Sequence, residues 1–101
     1  MGTTRRLDLS SRVVAGQAQV SCDLGGEAAI LHLTSGTYYG LDPIGARIWT
    51  LLQQPVAVRA LRDRLLAEYD VAPERLERDL LALLDRLHAA ALIEVRDDVA
   101  A

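Results

Sequence analysis

The sequence predicts an α+β fold, because strand-like segments occupy its first half and helical segments its second half. Alternating polar and apolar runs separated by glycine turns fill residues 12–41, and apolar side chains then recur at helical spacing up to residue 90. At 101 residues the chain forms one small domain. Strands that precede helices favour an antiparallel sheet covered on one face. The prediction is a winged helix-turn-helix-like architecture, a three-stranded antiparallel sheet followed by three helices.

Two glycine turns define the predicted strands. Gly25-Gly26 separates two alternating runs, which is a two-residue hairpin signal, and Ser35-Gly36 marks a second turn. The strands of the resulting meander are predicted at 17–23, 27–34 and 37–41, with shorter extended pieces at 12–15 and 92–95. Alternation along the strands then assigns side chains to faces. We expect Leu31, Leu33, Tyr39 and Leu41 to face the core, and His32 and Ile30 to lie on the other face.

Capping residues set the helix boundaries. Asp42 is a good N-cap, Pro43 suits the first helical position, and Gln54-Pro55 ends the first helix. Apolar spacing predicts a second helix over 58–69 and a third over 73–90. Trp49 is expected in the core, since its helix faces the sheet. The domain is predicted over 12–95, with flexible ends at 1–11 and 96–101.

Composition narrows the classes of protein. The net charge of −3 does not favour a nucleic-acid partner, and no apolar run reaches the ~18 residues that span a membrane. Because the N-terminus lacks the apolar segment of a secretory signal, we expect a cytoplasmic protein.

The sequence offers little for catalysis or metal binding. Cys22, His32 and His88 do not have the spacing of a metal site, and nothing beside Cys22 provides an oxyanion site. The expected roles are a semi-buried strand cysteine, a surface strand histidine and a helix-end histidine. We predict no enzyme, no metal and no cofactor, with a small catalytic accessory domain as an alternative.

A DNA-binding winged-helix regulator is a second alternative, because the predicted shape permits it. The third helix carries three arginines, but four acidic side chains lie among them, so phosphate neutralisation would be weak. These side chains are Arg75, Arg78 and Arg86, and Glu74, Glu77, Asp79 and Asp85.

The strand at 37–41 is a better candidate for binding. It lies at the edge of the meander and carries neither charge nor proline, so its unpaired backbone groups can accept an extended peptide as a further strand. Gly40 would let another backbone approach closely. The alternative is that the third helix covers this edge.

The stretch "SGTYYGLDPIGARIWTLL" at residues 35–52 resembles the hallmark of PqqD-like proteins, the peptide-recognition elements of ribosomally made peptide pathways. The family pattern is a Gly, an aromatic residue, Leu-Asn, then Gly or Ala, then an Ile/Val-Trp-x-Leu-Leu helix. The matching residues are Gly36, Tyr39, Leu41, Asp42, Gly45, Ile48, Trp49, Leu51 and Leu52. Asp42 stands where Asn is usual, and both are strong N-caps. The resemblance covers residues 12–95 and is greatest to the free-standing leader-binding proteins of lasso-peptide clusters.

The resemblance implies that the leader of a precursor peptide lies antiparallel on the strand at 37–41, between that strand and the third helix. The implied partners are this leader and a transglutaminase-like cysteine protease that removes it, with the cyclase as a further candidate partner. A homodimer through the same edge stays open. The implied peptide-binding residues are Thr37, Tyr38, Tyr39, Gly40 and Leu41 from the strand, and Arg75, Arg78, Asp79, Ala82 and Leu83 from the helix.

Overall fold

The computed structural model describes residues 7–96. Its strands are β1 (Arg12–Ala15), β2 (Gln19–Asp23), β3 (Ala28–His32), β4 (Tyr38–Leu41), β5 (Val56–Ala57) and β6 (Ile93–Val95). Its helices are α1 (Pro43–Leu51), α2 (Val58–Glu68) and α3 (Pro73–Ala89). Every helix and strand expected from the sequence is present to within a few residues, and the α+β, winged-helix-like fold class is confirmed.

The predicted meander forms one of two antiparallel sheets, in the order β2-β3-β4. Its first turn has Gly25 and Gly26 at φ 74° and 101°, values that glycine adopts without steric cost and that suit a tight hairpin. The carboxylate of Asp23 accepts the N–H of Gly25 at 3.1 Å. The β3–β4 turn contains Gly36 at φ 74°. Glycine therefore fixes both turns of the meander. Strand β4, the last in the order β2-β3-β4, lies at the edge of this sheet.

The second sheet, in the order β5-β1-β6, goes beyond the single three-stranded sheet that the sequence predicts. Strand β1 pairs Val13 with both Val56 of β5 and Val95 of β6. The two-residue β5 was not predicted, because it is too short to show alternation. This sheet holds the segments before α2 and after α3 together.

The core lies between the sheets and the three helices. The α3 leucines recur every three or four residues, as an apolar stripe requires. The buried residues of this stripe are Leu76, Leu80, Leu84 and Leu87. Helix α1 lies against β3 and β4, whereas α3 lies against α2 and β6. Trp49 is 5% exposed, which confirms its predicted place in the core.

The predicted faces of β3 are wrong. Leu31 and Leu33 are 39% and 58% exposed, while Ile30 is fully buried and His32 is 8% exposed. Both faces of this strand carry apolar side chains, so alternation alone could not decide, and the polar His32 suggested the wrong choice. His32 is accommodated inside because its Nδ1 accepts the N–H of Ser35 at 3.2 Å. Tyr39 and Leu41 do face inward, half-buried and buried respectively.

Two further expectations differ from the structure: the burial of Cys22 and the flexibility of the N-terminal segment. Cys22 is exposed rather than semi-buried, and it lies on β2, the other edge strand of its sheet. In the segment 7–11, expected in a flexible N-terminus, Leu7 is 7% exposed and the carbonyl of Ser11 accepts the N–H of Val58 at 2.9 Å, so two of its residues are anchored to the domain. The rest of the predicted flexible ends, 1–6 and 97–101, lies outside the described residues.

Candidate functional site

Strand β4 has one free edge. Within the described residues it pairs only with β3, in the register Ile30 to Tyr39 and Leu31 to Tyr38. His32 donates its N–H to the carbonyl of Thr37 at 2.9 Å, which fixes which residues of β4 point their backbone groups towards β3. Antiparallel pairing alternates, so the N–H and C=O of Tyr38 and Gly40 point away from the sheet. Within the predicted strand at 37–41, only Tyr38 and Gly40 therefore direct their backbone N–H and C=O groups towards the free edge.

A cleft of about 530 Å³ lies between β4, the start of α1 and one side of α3. Its lining is mainly apolar, with charged side chains at three positions. The lining residues are Gly40, Leu41, Asp42, Ile44, Gly45, Ile48, Leu76, Asp79, Leu80, Ala82, Leu83 and Arg86. Helix α3 therefore forms the opposite wall and does not cover the free edge of β4.

Half of the sequence-predicted site residues line this cleft. They are Gly40, Leu41, Asp79, Ala82 and Leu83. Two others lie on the strand: the Tyr38 side chain is 64% exposed on the outer face of the sheet, and Tyr39 packs half-buried against the core. Thr37 lies in the preceding turn, where its hydroxyl accepts from Ser35 at 2.9 Å.

The remaining two predicted residues, Arg75 and Arg78, lie on α3 outside the cleft lining. The Nε of Arg75 lies 3.8 Å from Oδ2 of Asp79, which is one turn further along the helix, and both side chains are largely exposed. Arg78 is exposed. The binding role predicted for all ten residues stays a prediction.

Sequence reasoning missed several residues of the lining, and a signal for most of them was available. Leu76 and Arg86 lie three positions from the predicted Asp79 and Leu83 on the same face of α3, and Ile44 and Ile48 share a face of α1. They were assigned to the core or to the solvent face because the orientation of α3 relative to β4 depends on tertiary packing.

Asp42 connects the two walls that β4 and α1 contribute. Its side chain accepts the N–H of Gly45 at 2.8 Å and so caps α1 immediately after β4 ends. A Cβ on Gly45 would lie 3.3 Å from the Cβ of Leu41, a tight contact. The small residue therefore allows α1 to start close against β4.

An ion pair joins α1 to α2. Arg47 donates from Nε and Nη2 to the two carboxylate oxygens of Glu68 at 2.9 and 2.8 Å. These hydrogen bonds lower the pKa of Glu68 and raise that of Arg47. The bidentate geometry holds the helix that lines the cleft in a defined orientation.

Groups suited to metal binding or membrane insertion are not found in residues 7–96. No three His, Cys, Asp or Glu side chains lie close enough together there to hold a metal ion. None of the three helices is long and apolar enough to cross a membrane, within the part of the chain that the structure describes. The prediction that the chain is not an enzyme stays a prediction.

Among the described residues, the sheet of this small α+β domain ends in a strand with one unpaired edge beside a helix-walled apolar cleft, a geometry that strand-accepting peptide-binding modules also have. Residues 27–93, from β3 into β6, match the family described as Coenzyme PQQ synthesis protein D (PqqD). The chain therefore belongs to the PqqD family, and the resemblance inferred from residues 35–52 is confirmed.

A solved structure supports the same assignment. TbiB1 in complex with the TbiA(beta) leader peptide is similar to this chain with a TM-score of 0.74 and 36% sequence identity. The match covers 87% of this chain and 99% of that chain, so the likeness extends over almost the whole domain. No curated protein sequence matches the chain.

Proposed function

We propose that this protein binds the leader segment of a ribosomally made precursor peptide. The leader lies antiparallel along β4, as a fourth strand of the β2-β3-β4 sheet, with alternate side chains in the cleft beside α3. The observation that carries the proposal is the free edge of β4 next to an apolar cleft. The leader complex of TbiB1, which is 36% identical to this chain, supports it.

The free energy of leader binding comes from two sources, main-chain pairing with β4 and side-chain burial in the cleft. The outward N–H and C=O groups of Tyr38 and Gly40 offer up to about four hydrogen bonds, each worth roughly 0.5–1.5 kcal/mol net. Ordering a peptide of this kind costs several kcal/mol. Main-chain pairing therefore does little more than offset ordering, and affinity comes from apolar leader side chains that fill the cleft. We expect a dissociation constant of about 10 nM to 10 μM.

The protein acts by tethering. Holding the leader raises the effective concentration of the cleavage site at a leader-removing, transglutaminase-like cysteine protease, without any bond being made or broken here. The pathway is that of a lasso peptide, the cyclase is a further candidate partner, and the proteins meet in the cytoplasm. Tyr38, through its main chain, and the cleft-lining residues contact the leader directly, while Thr37, Tyr39, Arg75 and Arg78 flank it.

The test fills the cleft without changing the core. Ala82 lines the cleft and is exposed, so Ala82→Trp occupies the space that the leader needs. Ala89 is exposed on the same helix outside the cleft, so Ala89→Trp is the matched control. Fluorescence anisotropy with a labelled synthetic leader, from the precursor gene beside this one, should give saturable binding to the wild type and to Ala89→Trp. Ala82→Trp should bind at least about tenfold more weakly. Absence of saturable binding to the wild type would refute the proposal.

A further inference from the structure

The charged side chains of the cleft differ in whether they have partners. Asp42 is engaged in capping α1, and Asp79 lies 3.8 Å from Arg75. Arg86, in contrast, has no carboxylate within 4.0 Å among residues 7–96, although it lines the cleft. The cleft therefore has one unpaired cation. Arg86 lies on α3 two helical turns, or about 10 Å, beyond Asp79.

The helix itself explains why Arg86 is unpaired. Side chains three and four positions apart on a helix are neighbours, so an acid at one of these positions would pair with Arg86. The four neighbours are Ala82, Leu83, Ala89 and Ala90. All four are uncharged, so the fork of N–H donors on Arg86 stays available at the rim of the cleft.

Resting on the proposed function, we propose that Arg86 is a specificity-determining residue that selects leaders with an Asp or Glu side chain facing it across the cleft. A guanidinium presents paired donors whose geometry matches a carboxylate. A bound leader displaces water from the cleft, which strengthens the ion pair relative to an open surface. Asp79 repels the same acidic side chain at the other end of the wall, so the two charges together fix the register of the leader.

A purely structural role for Arg86 predicts different behaviour. Arg86 lies in the last turn of α3, where a cation stabilises the helix end, and His88 lies in the same turn. If Arg86 only stabilised the helix, its loss would lower thermal stability and weaken every leader equally. A specificity role instead requires that the effect follow the charge of the peptide.

The experiment is a charge exchange between protein and peptide. The probe is a synthetic leader of the precursor encoded beside this gene, together with a version whose Asp or Glu residues are replaced one at a time by Arg. Arg86→Glu should weaken binding of the natural leader about tenfold, because attraction becomes repulsion. One charge-exchanged leader should restore binding to Arg86→Glu to within about threefold of the wild-type pair. Arg86→Lys should bind the natural leader with an affinity between those of the wild type and Arg86→Glu, because lysine keeps the charge but not the paired donors. The Arg86→Glu effect should shrink at high salt.

Arg59 provides the matched control. It is an exposed arginine on α2, also without an ion pair in the described residues, and it does not line the cleft. Arg59→Glu should change affinity less than about twofold. Three outcomes would overturn the role of Arg86 and leave the proposed function intact. Arg86→Glu could bind the natural leader as tightly as the wild type does, no charge-exchanged leader could restore binding, or the natural leader could contain no acidic residue. Failure of the wild type to bind the leader at all would overturn both.

Discussion

Replacement of Gly40 by proline tests the polarity of the β4 ladder. The N–H of Gly40 points to the free edge, so proline removes a donor that the folded protein does not use. Proline is tolerated on edge strands when its missing N–H faces outward. Gly40 is not in the left-handed region, and a Cβ there meets nothing within 4 Å. We therefore expect Gly40→Pro to fold, with a melting temperature close to that of Gly40→Ala.

Leader binding should respond differently to the same change. One lost hydrogen bond of roughly 0.5–1.5 kcal/mol lowers affinity about 2- to 13-fold. The proline ring also occupies the space in which a neighbouring strand lies at ~4.8 Å, so the loss should be at the upper end of this range or beyond it. Gly40→Ala, which keeps the N–H, should bind the leader as the wild type does. Isothermal titration calorimetry of the three proteins with the same leader measures these affinities.

The neighbouring position completes the test. The backbone N–H of Tyr39 points towards β3, where Tyr39 pairs with Ile30. Tyr39→Pro therefore removes a hydrogen bond inside the sheet and should destabilise the domain by about 1–3 kcal/mol. Circular dichroism during urea denaturation measures this difference. Equal leader affinity of Gly40→Pro and Gly40→Ala would show that the leader does not use this edge. Unfolding of Gly40→Pro would show that its N–H faces β3.

Two further predictions concern stability. Ala91, the residue after the α3 C-cap, has φ 60°, so Ala91→Gly should raise the free energy of unfolding by about 0.5–1 kcal/mol in urea denaturation, and a decrease would contradict the strain. Ile30 is fully buried and Leu31 is 39% exposed. Ile30→Ala should therefore cost about 2–5 kcal/mol and Leu31→Ala less than about 1 kcal/mol in the same measurement. Equal costs would reject the observed faces of β3.

Local signals predicted most of the fold. The glycine pair at residues 25–26, the Asp42-Pro43 cap and the leucine spacing of α3 each depend on neighbours in sequence, and each produced the expected element. The faces of β3 failed because both alternating sets, Ala29-Leu31-Leu33 and Ala28-Ile30-His32, contain apolar residues. The β5-β1-β6 sheet was missed because it joins short segments about 40 and 80 residues apart, a pairing that only tertiary contacts specify.

The candidate site was predictable to a similar extent. The edge position of β4 follows from the order of strands in a meander, so Gly40 and Leu41 were found from the sequence. On α3, amphipathic spacing identifies the buried leucines but not which flank of that stripe faces β4. Arg75 and Arg78 were therefore predicted as site residues, whereas Leu76 and Arg86 line the cleft in the structure. That choice depends on how α3 packs against α2 and β6, which periodicity does not determine.

The two walls of the cleft are constrained by different physics. Under the proposed function, the backbone groups of β4 can pair with a peptide of any sequence, so this wall does not discriminate between leaders. On α3, Asp79, Ala82, Leu83 and Arg86 line the cleft without belonging to the buried leucine stripe. Leu83 also packs partly against the core, whereas the other three side chains do not. Under the proposed function, substitutions at Asp79, Ala82 and Arg86 can therefore alter which peptides are preferred while the domain keeps its stability. Domains that share this ladder can diverge in their ligands through a single helix flank, and these three positions are the place to redesign this one.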